Sequence, residues 1–311
     1  MKSNSEINID KFPDRKKLEE IIKDLKSVDL SKISYEKLFF KIHELIILFS
    51  TPSTLKAGQY ICRGRINEAG QIFYSEREIS YQPNNKNIKE FGRANCPGQP
   101  LFYGAIPSGR ITEPRLVALF ETFEILRAGN KLGNLNSFSS FVITTGIWKI
   151  KNNFQVADII FNKQCIENIP EAKEYYKFHV SEIKKLWSDR ADDIIHLLEF
   201  ISDEFAKKRD DIKSDSDYKI SVAYTEIVLN MHKLFGVVYP SVSSDLQGYN
   251  IALTIPAVEI FLELEQVNMF NVSQTGHGKL SMVCIANAKD LGPLKSNFKW
   301  EYINYPDSMH L

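Results

Sequence analysis

The sequence predicts an α+β fold. Two observations carry the expectation: apolar residues recur with helical spacing near the N-terminus and again through the middle of the chain, and short runs of β-branched and aromatic residues, bounded by Gly and Pro, flank that middle section on both sides.

The elements follow in order. Leu18, Ile21, Ile22 and Leu25, then Leu38, Phe39, Ile42, Leu45, Ile46 and Phe49, fall at i, i+3, i+4, i+7 intervals and predict two amphipathic helices, an N-terminal helical extension over residues 1–57. Pro52 and Gly58 punctuate its exit. Tyr60 to Ile66, YICRGRI, reads as a strand and Leu101 to Ala105 as a second. Thr112-Glu113-Pro114 is an N-cap signal for a helix that runs to Leu126 and closes at Gly129. Leu116, Leu119, Phe120 and Phe123 form its expected apolar side, with Val117, Glu121 and Glu124 on the neighbouring stripe. SFVITTGIWKI predicts one or two strands near 140 to 150.

Residues 171–235 read as a helical insertion, with Ile194, Leu197, Leu198, Ile201 and Phe205 on one stripe and Ile220, Tyr224, Ile227, Met231, Leu234 and Phe235 on another. KKRDDIKSDSD, at 207–217, reads as a solvated loop within it. After Gly236 come strands at Val237–Tyr239 and Asn250–Ile255, a helix from Pro256, and strands near Val267–Val272, Lys279–Ile285 and Phe298–Ile303.

Composition narrows the function. Of 311 residues 43% are hydrophobic and 25% charged, which places the chain with ordinary globular proteins. Lys+Arg and Asp+Glu both number 39, so no net positive field favours direct nucleic-acid binding. The cysteines at 62, 96, 165 and 284 show no C-x-x-C pair and no matching histidines, a pattern of reduced cytoplasmic thiols with no metal site. MKSNSEINIDKF lacks an apolar leader region, and Leu45 to Phe49 is too short to span a bilayer, so neither secretion nor membrane insertion is expected.

Four places can carry chemistry. Alternation puts Arg63 and Arg65 on one strand face, either as a guanidinium clamp for a pyrophosphate or as a salt-bridged surface. In FGRANCPGQPLFYG the glycines and prolines make a rigid loop that holds Arg93 and Asn95 and leads to Tyr103, a ring that can stack on a flat ligand; a hairpin turn with a core tyrosine is the alternative. Glu121 sits at the margin of a buried helix face, as a pocket carboxylate or a solvated one. Ser241 and Asn250, in VVYPSVSSDLQGYNIAL, flank a turn as site residues or turn caps.

Taken in order, ICRGRI, GRANCPGQPLFYG, ALFE, FVITTGIW and YPSVSSDLQGYNIAL resemble the RES domain family, named for its Arg, Glu and Ser, over about residues 58 to 285. The resemblance implies an ADP-ribosyltransferase-like split β-sheet core in a catalytic domain of residues 58–311, and a toxin of a toxin–antitoxin pair that consumes NAD as its substrate. A cognate antitoxin partner comes with it, with the chain alone or as a homo-oligomer. It assigns Arg63 and Arg93 as phosphate anchors and Tyr103, Glu121 and Ser241 at the reacting bond; Arg65, Asn95 and Asn250, beside them in the strand, loop and turn, are the further candidates to contact the nucleotide. Compact members place the acid sooner after the tyrosine, which leaves Glu113 and Glu124 as alternative positions.

The implied chemistry is economical in its needs. Nicotinamide is already cationic in NAD, so breaking its bond to ribose releases a neutral base and leaves an oxocarbenium-like sugar, which calls for a carboxylate beside the ribose more than for a leaving-group acid. The expected activity is NAD glycohydrolase or phosphorylase. ADP-ribosyl transfer to a protein uses the same anchors, and a non-catalytic partner-binding module is the remaining alternative.

Overall fold

The computed structural model describes residues 12–46, 50–68, 70–129, 140–274, 280–291 and 297–304. Asp14 opens the first helix by accepting a hydrogen bond from the Lys17 amide, and α1 (Arg15–Ser27) buries Leu18, Ile22 and Leu25. In α2 (Tyr35–Ile46) Leu38, Ile42 and Leu45 are buried in turn. Both stripes lie against the helices of the middle section: α1 packs on α7 (Ala191–Phe205) and α2 on α8 (Lys219–Asn230). The Lys219 ammonium, itself buried, donates to the Leu30 carbonyl at 2.7 Å and the Ile33 carbonyl at 2.8 Å, tying the α1–α2 connection to the start of α8.

The strands are β1 (Pro52–Leu55), β2 (Tyr60–Asn67), β3 (Phe102–Ile106), β4 (Ser140–Ile150), β5 (Phe154–Asp158), β6 (Gly236–Pro240), β7 (Tyr249–Leu253), β8 (Leu262–Gln274), β9 (Leu280–Lys289) and β10 (Lys299–Tyr302). They form one ten-stranded sheet in the order β1-β5-β6-β7-β3-β2-β4-β8-β9-β10. Among the described residues only β5 and β6 run parallel, and a parallel pair needs a crossover. The middle helices supply it: α5 (Lys163–Asn168), α6 (Pro170–Leu186), α7 and α8.

The sheet has a thin seam. β2 pairs with β4 from Tyr60–Lys149 through to Asn67–Val142, and β3 with β7 from Phe102–Leu253 to Ile106–Tyr249. Between β2 and β3 the register holds one pair, Cys62 opposite Ala105. Two half-sheets therefore meet at a single row.

Several expectations need correction. The segment expected as a purely helical extension ends in β1, which pairs antiparallel with β5, and neither strand was anticipated. The helical section starts at Lys163 rather than 171, because α5 is capped by Asn162, whose side chain accepts from the Cys165 amide. The helix after β3, α4 (Pro114–Gly129), meets the expected apolar side only in part: Leu119 is buried as expected, but Leu116 is 43% exposed, and Val117 from the neighbouring stripe is buried with Ala118. Phe49 and Lys279, and the side chains of Ile46, Phe123, Glu124 and Leu126, lie outside the described residues. Among the described residues no helix is long and apolar enough to cross a membrane.

Candidate active site

The glycine- and proline-rich loop folds onto its own tyrosine. Gly98 takes φ +78°, a conformation costly for any residue with a side chain, and its amide donates to the Ile88 carbonyl at 2.8 Å. The Tyr103 hydroxyl donates to Asn95 Oδ1 at 2.6 Å and accepts from the Ala94 amide at 3.1 Å. Asn95 is buried and spans the loop, its amide nitrogen donating to the Cys96 carbonyl at 2.9 Å. A Cβ on Gly92 would run into the Asn95 amide and the Tyr103 hydroxyl, so the closure requires glycine there. Burial raises the Tyr103 hydroxyl above the usual phenol range, which keeps it a donor at neutral pH. The Tyr103 hydroxyl thus bolts the loop shut.

Arg93 reaches outward from this loop to the C-terminal end of α7. Its Nη1 donates to the Phe205 carbonyl at 2.8 Å and its Nη2 to the Lys207 carbonyl at 2.9 Å, with the guanidinium 5.1 Å from the Tyr218 ring centre. Carbonyls at a helix C-terminus lack intrahelical donors and carry partial negative charge, which suits a cation. Asp215 accepts from the Phe91 amide at 3.0 Å, and Ser221 donates to the Arg93 carbonyl at 2.7 Å. The stretch expected as a solvated loop at 207–217 thus docks the motif loop. Main-chain carbonyls do that work at Phe205 and Lys207, and a side-chain pattern cannot reveal them.

One row of residues crosses four strands: Tyr239 faces Asn250, Asn250 faces Ala105, and Ala105 faces Cys62. Val117 and Ala118 of α4 pack on the Cys62–Ala105 end of the row. Gly64 admits the helix: a Cβ there would stand 2.8 Å from Ile143 Cδ1 and 3.0 Å from Thr122 Oγ1. One turn beyond Val117, Glu121 arrives over the other end. Its Oε1 accepts from Ser241 Oγ at 2.6 Å and from Asn250 Nδ2 at 2.7 Å. Among the described residues no donor reaches Oε2.

Ser241 is fully buried, and its surroundings fix it in place. Its amide donates to the Gly248 carbonyl at 2.8 Å, while its carbonyl accepts from the Leu246 amide at 2.9 Å and Ser244 Oγ at 3.1 Å. The turn needs two consecutive left-handed residues, Asp245 at φ 53° and Leu246 at φ 56°; the second is costly for a leucine and is held by burial. Ser244 and Tyr239 escaped the sequence reading, since each looks like an ordinary turn or strand residue. Burial raises the Tyr239 hydroxyl well above the usual phenol range.

Arg63 and Arg65 lie on the other face of β2. As alternation requires they point the same way, but Gly64 between them faces α4, so they face α3 (Glu76–Ile79). Arg63 donates through Nε to the Ile79 carbonyl at 3.2 Å and through Nη1 to the Tyr103 carbonyl at 2.5 Å, with Phe102 beneath it. Arg65 donates to the Glu78 carbonyl over the Phe73 ring. Burial, and next the charge of Arg65, lowers Arg63 to about 10, which still leaves it cationic at neutral pH. In place of the expected open clamp, the guanidiniums are committed to main-chain acceptors. Arg63 does so across the seam, next to where the β2–β3 ladder stops.

The alternative acids fare differently. Glu113 is exposed in the residue before α4, and the Glu124 side chain lies outside the described residues. Among the described residues no group of three His, Cys, Asp or Glu side chains could hold a metal ion. No protein-family model and no curated protein matches the chain.

Proposed function

We propose that the chain is an RES-type enzyme that cleaves the nicotinamide–ribose bond of NAD, with water or phosphate as acceptor and Glu121 as the catalytic carboxylate. The observation that carries this reading is the double hydrogen bond from Ser241 and Asn250 to one oxygen of Glu121. The acid comes from α4 and the serine and asparagine from one stretch about 120 residues later, and the fold brings them within bonding distance on one face of the sheet.

The roles follow from that geometry. With Oε1 tied down, the carboxylate cannot rotate, and Oε2 is the oxygen left to face the substrate. As the bond breaks, its electron pair leaves with nicotinamide, which departs neutral, and positive charge appears on the ribose. A preoriented carboxylate stabilises that charge without reorganising. The acceptor oxygen then bonds to the ribose carbon and gives up a proton, to solvent or to Glu121. Arg93 spends one N–H on each of two carbonyls and retains others for the NAD diphosphate.

The single-pair seam between the half-sheets supports the finer reading of the fold as ADP-ribosyltransferase-like. On this reading Arg63 is a positioning residue that sets the seam, Arg65 holds α3 against β2, and Asn95 and Tyr103 shape the loop that presents Arg93. A neutralising antitoxin and a cytoplasmic site of action belong to the same proposal.

Incubation of the purified protein with NAD tests it. Free nicotinamide together with ADP-ribose, or with its 1″-phosphate when phosphate is present, is the expected product pair. ADP-ribose attached to protein would move the acceptor to a side chain, and undiminished NAD would contradict the proposal.

A further inference from the structure

A cavity of about 730 Å³ lies away from the Glu121 cluster, between α3 with its flanks, the end of α9 (Ile255–Phe261), the start of β8, and Leu291 and Phe298. The volume falls in the range of small-molecule sites. Its floor is apolar, with Val258, Leu262 and Phe298 all buried. Its rim is charged: Glu76, Glu259 and Glu263 against Arg77 and Lys151.

Two of the carboxylates are held in place by neutral donors. Trp148, fully buried, donates from Nε1 to Glu76 Oε1 at 2.9 Å, and the Tyr81 hydroxyl donates to Glu259 Oε1 at 3.1 Å. A neutral donor orients a carboxylate without cancelling its charge. Arg77 and Lys151 are exposed, and their long stems let them swing into solvent. Ser80 adds an independent observation. It is 4% exposed, it lines the cavity, and among the described residues its hydroxyl has no hydrogen-bond partner. Buried hydroxyls are ordinarily satisfied, so an orphan beside a cavity marks a place where a bound molecule completes the bonding.

We propose that this cavity binds a small organic cation with an apolar body: the body covers Val258, Leu262 and Phe298, the cationic group sits between Glu76 and Glu259, and a polar atom meets Ser80. The site is independent of the NAD chemistry and shares no residue with the Glu121 cluster.

Calorimetric titration of the full chain tests it, with phenethylammonium as the probe and 3-phenylpropionate as an anion with a similar aromatic body. Saturable binding of the cation and none of the anion is expected. Glu259→Gln, an exposed substitution that leaves the core untouched, should weaken the cation about tenfold, the scale of a lost charge-assisted contact. Val258→Trp should fill the cavity and abolish binding; if it does not fold, Glu76→Gln, which keeps an acceptor for Trp148, must show the same weakening as Glu259→Gln. Ser80→Ala should bind more weakly with an unchanged or raised melting temperature. Preference for 3-phenylpropionate, absence of saturation with either probe, or unaltered affinity in both Gln variants would overturn the proposal.

Discussion

The two faces of β2 treat charge in opposite ways. Toward α4, Glu121 is held through one oxygen by two side-chain donors, and its other oxygen has no partner among the described residues. Toward α3, Arg63 gives its donors to main-chain carbonyls of two elements and is pressed against Phe102. Bonded to one carbonyl of α3 and one of β3, the Arg63 guanidinium ties those two elements together, so its bonds are bonds of the fold. A carboxylate oriented through one oxygen by two side chains is the better placed of the two groups for the proposed chemistry. On the proposed reading chemistry belongs to one face and architecture to the other, although the sequence presents both as candidate site residues.

Substitutions on the two faces should therefore separate turnover from stability. The largest effect is expected at Glu121: Glu121→Gln should lower kcat on NAD by about a hundredfold or more, the scale of a lost electrostatic stabiliser, with affinity and melting temperature nearly unchanged. An equal loss of melting temperature would erase the contrast. Arg63→Met should do the reverse. It leaves the Ile79 and Tyr103 carbonyls without their donor and should cost about 3–6 kcal/mol in denaturant unfolding, as two lost hydrogen bonds from a charged group would. A fully stable Arg63→Met that no longer binds NAD would return Arg63 to the substrate pocket.

Smaller effects sharpen the same line. Gly64→Ala places a methyl group against Ile143 and Thr122 under α4, and a loss of about 1–3 kcal/mol is expected from overpacking, read as a lower urea midpoint. Since α4 carries Glu121, turnover should fall with it; unaltered turnover would show that Glu121 tolerates movement of its helix. Ser241→Ala removes one of two donors to Glu121 and should lower kcat about tenfold, less than loss of the carboxylate itself, because Asn250 remains. Arg65→Lys is expected to be the mildest, within about 0.5 kcal/mol, since its side chain is partly exposed and makes one hydrogen bond.

How far the sequence revealed this division depends on the residue. The parity of β2 placed Arg63 and Arg65 together, because a strand alternates whatever surrounds it. Parity does not say which neighbour lies on which side, and α3 is too short at Glu76–Ile79 to show a helical period. Glu121, Ser241 and Asn250 were legible through short motifs at ALFE, YPSV and GYNIAL, but no spacing in a sequence predicts that all three meet at one oxygen. On α4 the apolar residues run around the helix, so the pattern could not choose a face; the small residues Cys62, Gly64 and Ala105 beneath it chose Val117 and Ala118 and left Leu116 in solvent. β1 was hidden for another reason: four residues beginning with proline read as an exit from a helix rather than as an edge strand, the place where a sheet accepts proline.

The central claim is that the carboxylate oriented by Ser241 and Asn250 breaks the nicotinamide–ribose bond. It is tested most directly by the time course of nicotinamide release from NAD with the unaltered protein, Glu121→Gln and Glu113→Gln side by side. The account predicts steady release by the unaltered protein, nearly the same from Glu113→Gln, and release about a hundredfold slower or more from Glu121→Gln. No release by the unaltered protein, or an active Glu121→Gln beside an inactive Glu113→Gln, would contradict it.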